Sequence, residues 1–401
     1  MGKKILIVTD SFPPNFAPRM GALSSNLEKM DYDVTIISED NTETHYAITN
    51  IPKNIYRYNY QSSLSRTGYY FKTALNLVFD HKSLTFYKRF SHVIKSGNFD
   101  LVLCSTFNEF PLSLAYKISK QFNIPLVCDI RDLVEQFGNK LYSRNKISNN
   151  FFNRFFTNLI RKKRIYKRNQ IIKKADAVIT VSPWHKEFLS RLNKNVHLIY
   201  NGYSAKLFSA NDIISDTFDI IYTGRLLDTN AQNPELLFKA IEELHLEKLR
   251  LVWYVDKNSK AIINDLLKDY PTTRGVSQIN DLVAASEIPS LLNKSSIVLV
   301  LTNKSDENGP KGIMTTKFFE AVGVEKPVLC VPNDEGCLGQ VINEVNAGLA
   351  ANSALEVKNF ITEKYNEWQK NGFTRQNVKN KEYFCRENQA KEFVEVFNSV
   401  L

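Results

Sequence analysis

The chain has 401 residues, 43% of them hydrophobic, and a formal net charge of +10 at pH 7, which is too long for one ordinary core and suits two domains. No run of roughly 18 uninterrupted apolar residues occurs, so a transmembrane helix is not expected, and the short apolar run before Asp10 reads as a first strand, not a signal peptide. Five cysteines (Cys104, Cys128, Cys330, Cys337, Cys385) form no CxxC pair and lie mostly in apolar runs. They read as reduced core thiols of a cytoplasmic protein.

In chain order, short Val/Ile/Leu-rich runs recur at Ile5–Val8, Val34–Ile37, Leu101–Cys104, Leu126–Cys128, Ala177–Val181 and Val196–Tyr200, with helical segments between them. Apolar runs without alternation suit strands covered on both faces, hence a parallel sheet with crossover helices. A second series follows at Phe218–Tyr222, Leu249–Val255, Ile297–Thr302 and Pro327–Val331. Each half therefore reads as a doubly wound, Rossmann-like α/β domain, the first over 1–205 and the second over 206–380. The join falls near Asn201–Ser215, where Asn-Gly and a polar stretch break the rhythm. Helical periodicity at Phe384, Ala390, Phe393, Val396 and Phe397 predicts a final helix over about 380–401 that packs back on the first domain.

Within the first half, Pro13, Pro14 and Gly21 are placed in the first strand-to-helix loop, facing an acceptor or simply making a tight turn. Asn108 and Glu109, after the strand ending at Cys104-Ser-Thr, are further candidates on the acceptor side. Asp129-Ile-Arg131-Asp132 follows the strand Leu126–Cys128 and so sits at a carboxyl end; Asp129, Arg131 and Asp132 can orient an acceptor hydroxyl and a departing phosphate, or form a structural ion pair. Residues 136–175 hold twelve Lys or Arg and no Asp or Glu. Aromatics at Phe151–Phe156 followed by a basic helix suit an anionic membrane surface, with each cation near the surface contributing about 1 kcal/mol. A solvated helix flank is the alternative.

The second half carries the most informative stretch, Lys311-Gly-Ile-Met-Thr-Thr-Lys317-Phe-Phe-Glu320. A glycine-bearing loop runs into a helix whose first turns carry Lys317 and Glu320. Orphan amides and the positive dipole end suit a diphosphate, and a carboxylate one turn inside can accept both hydroxyls of a ribose. Glu320 is not a capping-box partner, because the residue three before it is Lys317; it can still be an acidic residue that merely complements the dipole. Gly224-Arg225, directly after the strand ending at Tyr222, lets backbone approach a phosphate and offers it a planar fork.

With these residues in place, the chain resembles the retaining glycosyltransferases of family 4, and in particular a branch that builds bacterial surface polysaccharides. The resemblance rests on Gly224-Arg225, on Thr316, Lys317, Glu320 and Ala321, on Asn201-Gly202, on Asp176-Ala-Val-Ile-Thr-Val-Ser182, on Ile342-Asn-Glu344 with Gly348, and on Arg131-Asp132-Leu. It implies the two-domain GT-B fold with the domains facing a cleft, a nucleotide-sugar donor held by Gly224, Arg225, Lys317 and Glu320, and front-face attack in which the donor phosphate takes the acceptor proton. Two departures accompany it. The family's loop lysine is missing, with Asn230, Gln232 and Asn233 in its place, and Gln232 is assigned as a neutral phosphate contact, as in one branch of the family. A second glutamate that touches the donor sugar is replaced by Gly312, so sugar contacts are expected from the backbone of Gly312, Ile313, Met314, Thr315 and Thr316.

The six histidines are scattered, and no metal and no cofactor beyond the donor is expected. Nucleic acid is disfavoured as a partner, since the cations concentrate in one segment and no reading motif accompanies them. The sequence thus describes an enzyme moving a hexose or N-acetylhexosamine, uridine-linked, to a lipid-linked or growing surface glycan, cytoplasmic and peripheral on the inner membrane. A sugar-nucleotide epimerase of the same fold and an inactive nucleotide-sugar-binding relative are the rivals.

Overall fold

The computed structural model describes the chain except residues 1, 16, 41–51, 53, 61–74, 77–78, 107–109, 137–150 and 306–309. It divides into two units. The first comprises the described residues of 1–136 and of 140–200 together with Gln389–Leu401; the second comprises the described residues of Asn201–Asn388.

In the first unit the described strands are β1 (Lys4–Thr9), β2 (Asp33–Glu39), β3 (Asn54–Tyr58), β4 (Leu101–Thr106), β5 (Leu126–Ile130), β6 (Ala177–Thr180) and β7 (Val196–Leu198). All pair in parallel, in the order β3-β2-β1-β4-β5-β6-β7. Ile5, Leu6, Ile7 and Val8 are all fully buried, which is why β1 reads as a continuous apolar run: helices cover both faces. One face is covered by the helix Pro18–Lys29, which starts on a proline in its first turn, where the missing N–H would be unpaired in any case. Its Met20, Leu23 and Leu27 share a buried cluster with Ile5, Ile7, Phe393 and Phe397. Phe393 and Phe397 come from the final helix, Arg386–Val400, and burying each contributes about 2–3 kcal/mol.

The second unit contains β8 (Phe218–Thr223), β9 (Leu249–Val255), β10 (Ser277–Asp281), β11 (Ile297–Leu301), β12 (Val328–Val331) and β13 (Gly348–Ala350), again all parallel among the described residues, in the order β10-β9-β8-β11-β12-β13. Both units thus share the doubly wound order, in which the strand direction of travel reverses between the first and fourth strands and leaves a crevice at their carboxyl ends. The strands absent from the sequence reading are β3, β10 and β13. Each occupies a sheet edge or is very short, and Ser277-Gln-Ile-Asn-Asp281 is mostly partly exposed, so no apolar run marks it. The five cysteines are buried free thiols. No described helix is long and apolar enough to cross a membrane.

Candidate functional site

In the second unit the loop after β8 and the start of the helix Thr316–Gly323, which follows β11, meet at the switch point. Gly224 has φ +108°, and a Cβ placed there would lie 3.2 Å from both Cε and Nζ of Lys317. Only glycine combines that backbone with room for the ammonium group. Nζ of Lys317 also sits 5.0 Å from the ring centroid of Tyr222, a cation–π contact that orients the side chain without neutralising it. Lys317 makes no ion pair or hydrogen bond among the described residues. Gly312 (φ +65°) turns the preceding loop; Met314 is buried, while Ile313, Thr315 and Thr316 are partly exposed. Thr315 begins the helix without a side-chain cap, so the first amides keep their donor capacity.

The loop after β8 is held from several sides. Tyr222 Oη donates to the carbonyl of Arg225 at 2.8 Å. Leu226 N–H donates to Ser259 Oγ at 2.8 Å, and Ser259 Oγ donates to Asp256 Oδ1 at 2.6 Å. Gln232, assigned from sequence to a phosphate, directs its carboxamide into the loop itself: Oε1 accepts from Leu227 N–H at 2.7 Å, and Nε2 donates to Tyr222 Oη at 2.8 Å and to the Arg225 carbonyl at 3.2 Å. Its place in the structure is that of a brace. Arg225 extends outward, 62% exposed, with Nε 3.5 Å from Asp256 Oδ2. Hydrogen bonds from Ser259 hold the Asp256 carboxyl below the usual range.

Glu320 lies one turn beyond Lys317, partly exposed as a residue, and accepts no hydrogen bond from the described protein. Burial pushes its carboxyl up to about 7, against the pull of Arg386 and then Lys317. A carboxyl at this value gains most from a ligand that donates hydrogen bonds to its ionised form. Arg386 escaped the sequence reading; it opens the final helix, 66 residues downstream, and no local pattern marks it.

In the first unit the candidates separate. Asp129 is fully buried: it accepts from Arg19 Nη2 at 3.0 Å, from Arg19 Nε at 3.3 Å and from Ser105 Oγ at 2.7 Å. This corrects its placement as a cleft-facing catalytic group. Strand β5 runs two residues past Cys128, carrying Asp129 into the sheet as a structural ion pair. Arg19 also donates to the Tyr200 carbonyl. Arg131 is buried and pairs with Asp10 at 2.7 Å, at the carboxyl ends of β1 and β5. Asp132 accepts from Gln136 Nε2 at 2.9 Å, and burial pushes it up to about 6. Gly21 is also corrected: the helix begins at Pro18, so Gly21 lies within it, buried, its N–H donating to Ala17. Asn108 and Glu109 lie outside the described residues.

Gln136 ties Asp132 to His185. The Leu133 amide donates to Gln136 Oε1 at 3.0 Å, which fixes Nε2 toward Asp132 and requires His185 Nε2 to carry the proton it donates to Oε1 at 2.6 Å. His185 Nδ1 is buried without a partner among the described residues. Burial first, then Arg168, lowers the imidazole from 6.5 to about 4, with Glu135 opposing. A depressed histidine contributes stability that is complete above the unfolded value and is lost as pH falls through the folded one. Measured by urea unfolding between neutral pH and about pH 4, His185→Gln should remove about 3 kcal/mol of acid sensitivity. Asp132, whose contribution runs the other way, is present in both chains and drops out of the difference. Equal acid sensitivity in the two chains would show that the imidazole is not held neutral.

Of the basic helix Phe151–Ile172, Arg168 is buried and paired with Glu135 at 2.6 and 2.8 Å, and Lys167 pairs with Asp80 at 2.6 Å. Lys162 and Lys163 are exposed, as are Leu159 and Tyr166. Among the described residues no cluster of three or more His, Cys, Asp or Glu is placed to hold a metal.

Residues 19–207 match the sequence model of Glycosyltransferase Family 4. A search of curated protein sequences finds no match. Among solved structures, sucrose-phosphate synthase from Thermosynechococcus elongatus superposes with a TM-score of 0.66 at 14% identity, covering 99% of this chain and 98% of that one. Anabaena HepE in complex with UDP gives 0.64 at 14% identity, covering 99% and 100%. A putative UDP-N-acetylglucosamine 2-epimerase from Listeria monocytogenes gives 0.57 at 14% identity, covering 100% and 96%. These likenesses establish the GT-B fold over the full described chain, in agreement with the two Rossmann-like domains expected from sequence.

Proposed function

We propose that this chain is a retaining glycosyltransferase that moves a hexose-type sugar from a nucleoside diphosphate, with uridine as the favoured base, to a lipid-linked or growing bacterial surface glycan. The observation that carries the reading is the pairing of Gly224 with Lys317 at the start of an uncapped helix, with Glu320 one turn further on. Lys317, Arg225 and the helix-start amides neutralise a leaving diphosphate in a fixed array, without a metal. Glu320 receives the ribose hydroxyls. The match of residues 19–207 to Glycosyltransferase Family 4 and the UDP bound by HepE support the same class.

In this reading the first unit takes the acceptor, with Arg131 and Asp132 at the carboxyl end of β5 as its polar groups, and the donor phosphate receives the acceptor proton. Lys162, Lys163, Leu159 and Tyr166 give the basic helix both a cationic and an apolar contribution to an anionic bilayer surface, which supports a peripheral association with the inner membrane. A second reading, sugar-nucleotide epimerisation, is favoured by the shared fold of the Listeria protein alone.

A thermal-shift titration with UDP, GDP, CMP and their sugar derivatives tests the donor site, because a ligand that binds only the native state raises the melting temperature by mass action. A shift with one base identifies the donor; no shift with any removes the transferase reading. Incubation of the bound nucleotide sugar without acceptor then separates the two activities, since only an epimerase returns an isomerised sugar nucleotide.

A further inference from the structure

In the second sheet β9 and β11 lie on opposite sides of β8. Lys317, on the helix after β11, and Asp256, directly after β9, therefore approach the Gly224-Arg225 loop from opposite flanks. Lys317 reaches Gly224, while Arg225 turns to the other flank, where its Nε lies 3.5 Å from Asp256 Oδ2.

Asp256 is held in place by a second set of contacts. It caps the helix Lys257–Leu266, its Oδ1 accepting from Ser259 N–H at 2.9 Å and from Ser259 Oγ at 2.6 Å. Ser259 is fully buried, and its Oγ accepts in turn from Leu226 N–H at 2.8 Å. On the other side of Arg225, Gly224 N–H donates to the Tyr254 carbonyl at 2.9 Å. The carboxylate and the backbone flanking Arg225 are thus fixed to one another, and the Arg225 side chain, 62% exposed, is the part that can change partner. Its contact with Asp256 is a weak one, made through one nitrogen at 3.5 Å with the carboxylate itself 27% exposed, and such pairs are screened by solvent. A diphosphate carries more charge than a carboxylate and presents paired oxygens to the planar guanidinium, so it can draw Arg225 away.

We propose that Asp256 is a positioning residue that holds Arg225 on the β9 flank before the donor binds and competes with the diphosphate for it afterwards, so that the nucleotide product leaves readily. This rests on the donor-site reading above, in which Arg225 contacts the diphosphate. The same contact keeps Arg225 apart from Lys317 while no anion lies between the two cations, whose like charges repel.

The test is calorimetric titration with UDP, GDP and ADP, which share the diphosphate, so the outcome does not depend on one base. Asp256→Asn removes the charge but keeps an oxygen for Ser259 N–H, and Asn caps a helix as well as Asp. It should tighten binding of the accepted nucleoside diphosphate by about fivefold. In an Arg225→Ala background the same substitution should change the affinity by less than about twofold, because Asp256 acts through Arg225. A merely structural role predicts the opposite sign, since a loosened loop binds less. Asp256→Ser, which caps through its hydroxyl and carries no charge, serves if the asparagine variant does not fold. Unchanged or weaker binding in a folded, charge-free variant, or a tightening that persists in full without Arg225, overturns the role of Asp256 and leaves the donor site standing. Failure of the parent protein to bind any of the three nucleotides removes the donor-site reading, and this inference with it.

Discussion

Asp129→Ala should destabilise the first unit by about 3–5 kcal/mol, because it leaves a buried guanidinium without its carboxylate. Arg19 is only 5% exposed, and its Cζ lies 4.9 Å from the ring centroid of Phe393, so no solvent shell is at hand to replace Asp129. Ser105, whose hydroxyl donates to the same carboxylate, loses its acceptor as well. Asp129→Asn should cost less, since an amide oxygen can still accept from one donor, although it cannot balance the charge. Hydrogen exchange at the amides of β1, β4 and β5 reads the effect within the first unit. A loss below about 1 kcal/mol for the alanine variant would place Asp129 outside the framework and reopen it as a reacting group.

Lys317→Ala should do the opposite, lowering sugar transfer by about 10²–10³-fold while leaving the melting temperature nearly unchanged. Among the described residues Lys317 makes a cation–π contact with the face of Tyr222, contributing about 0.5–1 kcal/mol, and no ion pair within contact distance. Its removal therefore takes little from folding and the full charge from a bound diphosphate. Transfer kinetics alongside a thermal melt distinguish the two effects. Transfer retained within about twofold in the folded variant would assign the diphosphate to other groups.

The meeting of Gly224 and Lys317, on which the proposed donor side rests, was legible in sequence because its determinants are local. A glycine directly after a buried strand, and a lysine and glutamate one turn apart at a helix start, keep their meaning whatever surrounds them, and the structure does bring Gly224 and Lys317 into contact. What was not legible depends on partners far along the chain. Asp129 and Asp132 look equivalent in sequence, three residues apart. They differ because β5 extends to Ile130, which puts the first in the sheet opposite Arg19, 110 residues upstream, and leaves the second beyond the strand end. Gln232 has the spacing of a ligand contact, yet the carbonyls and amides of its own loop supply partners for its carboxamide. The segment carrying Arg386 meets the Glu320 helix through Phe384, which docks on Phe318 and Phe319, a contact between segments that no periodicity connects. The strands β3, β10 and β13 were missed for a related reason: edge strands bury little, so their sequences carry little apolar signal.

The final helix gives Ala390, Phe393, Val396 and Phe397 to a cluster otherwise built from Ile5 to Ile199. On the ribosome, where domains ordinarily mature in the order in which they emerge, the first unit cannot complete its core until the whole of the second has been synthesised. The second, Asn201–Asn388, is continuous and can finish first. Maturation thus runs against the direction of translation, and the half made earliest carries an open apolar face longest, making it the part of a nascent chain that most needs a chaperone.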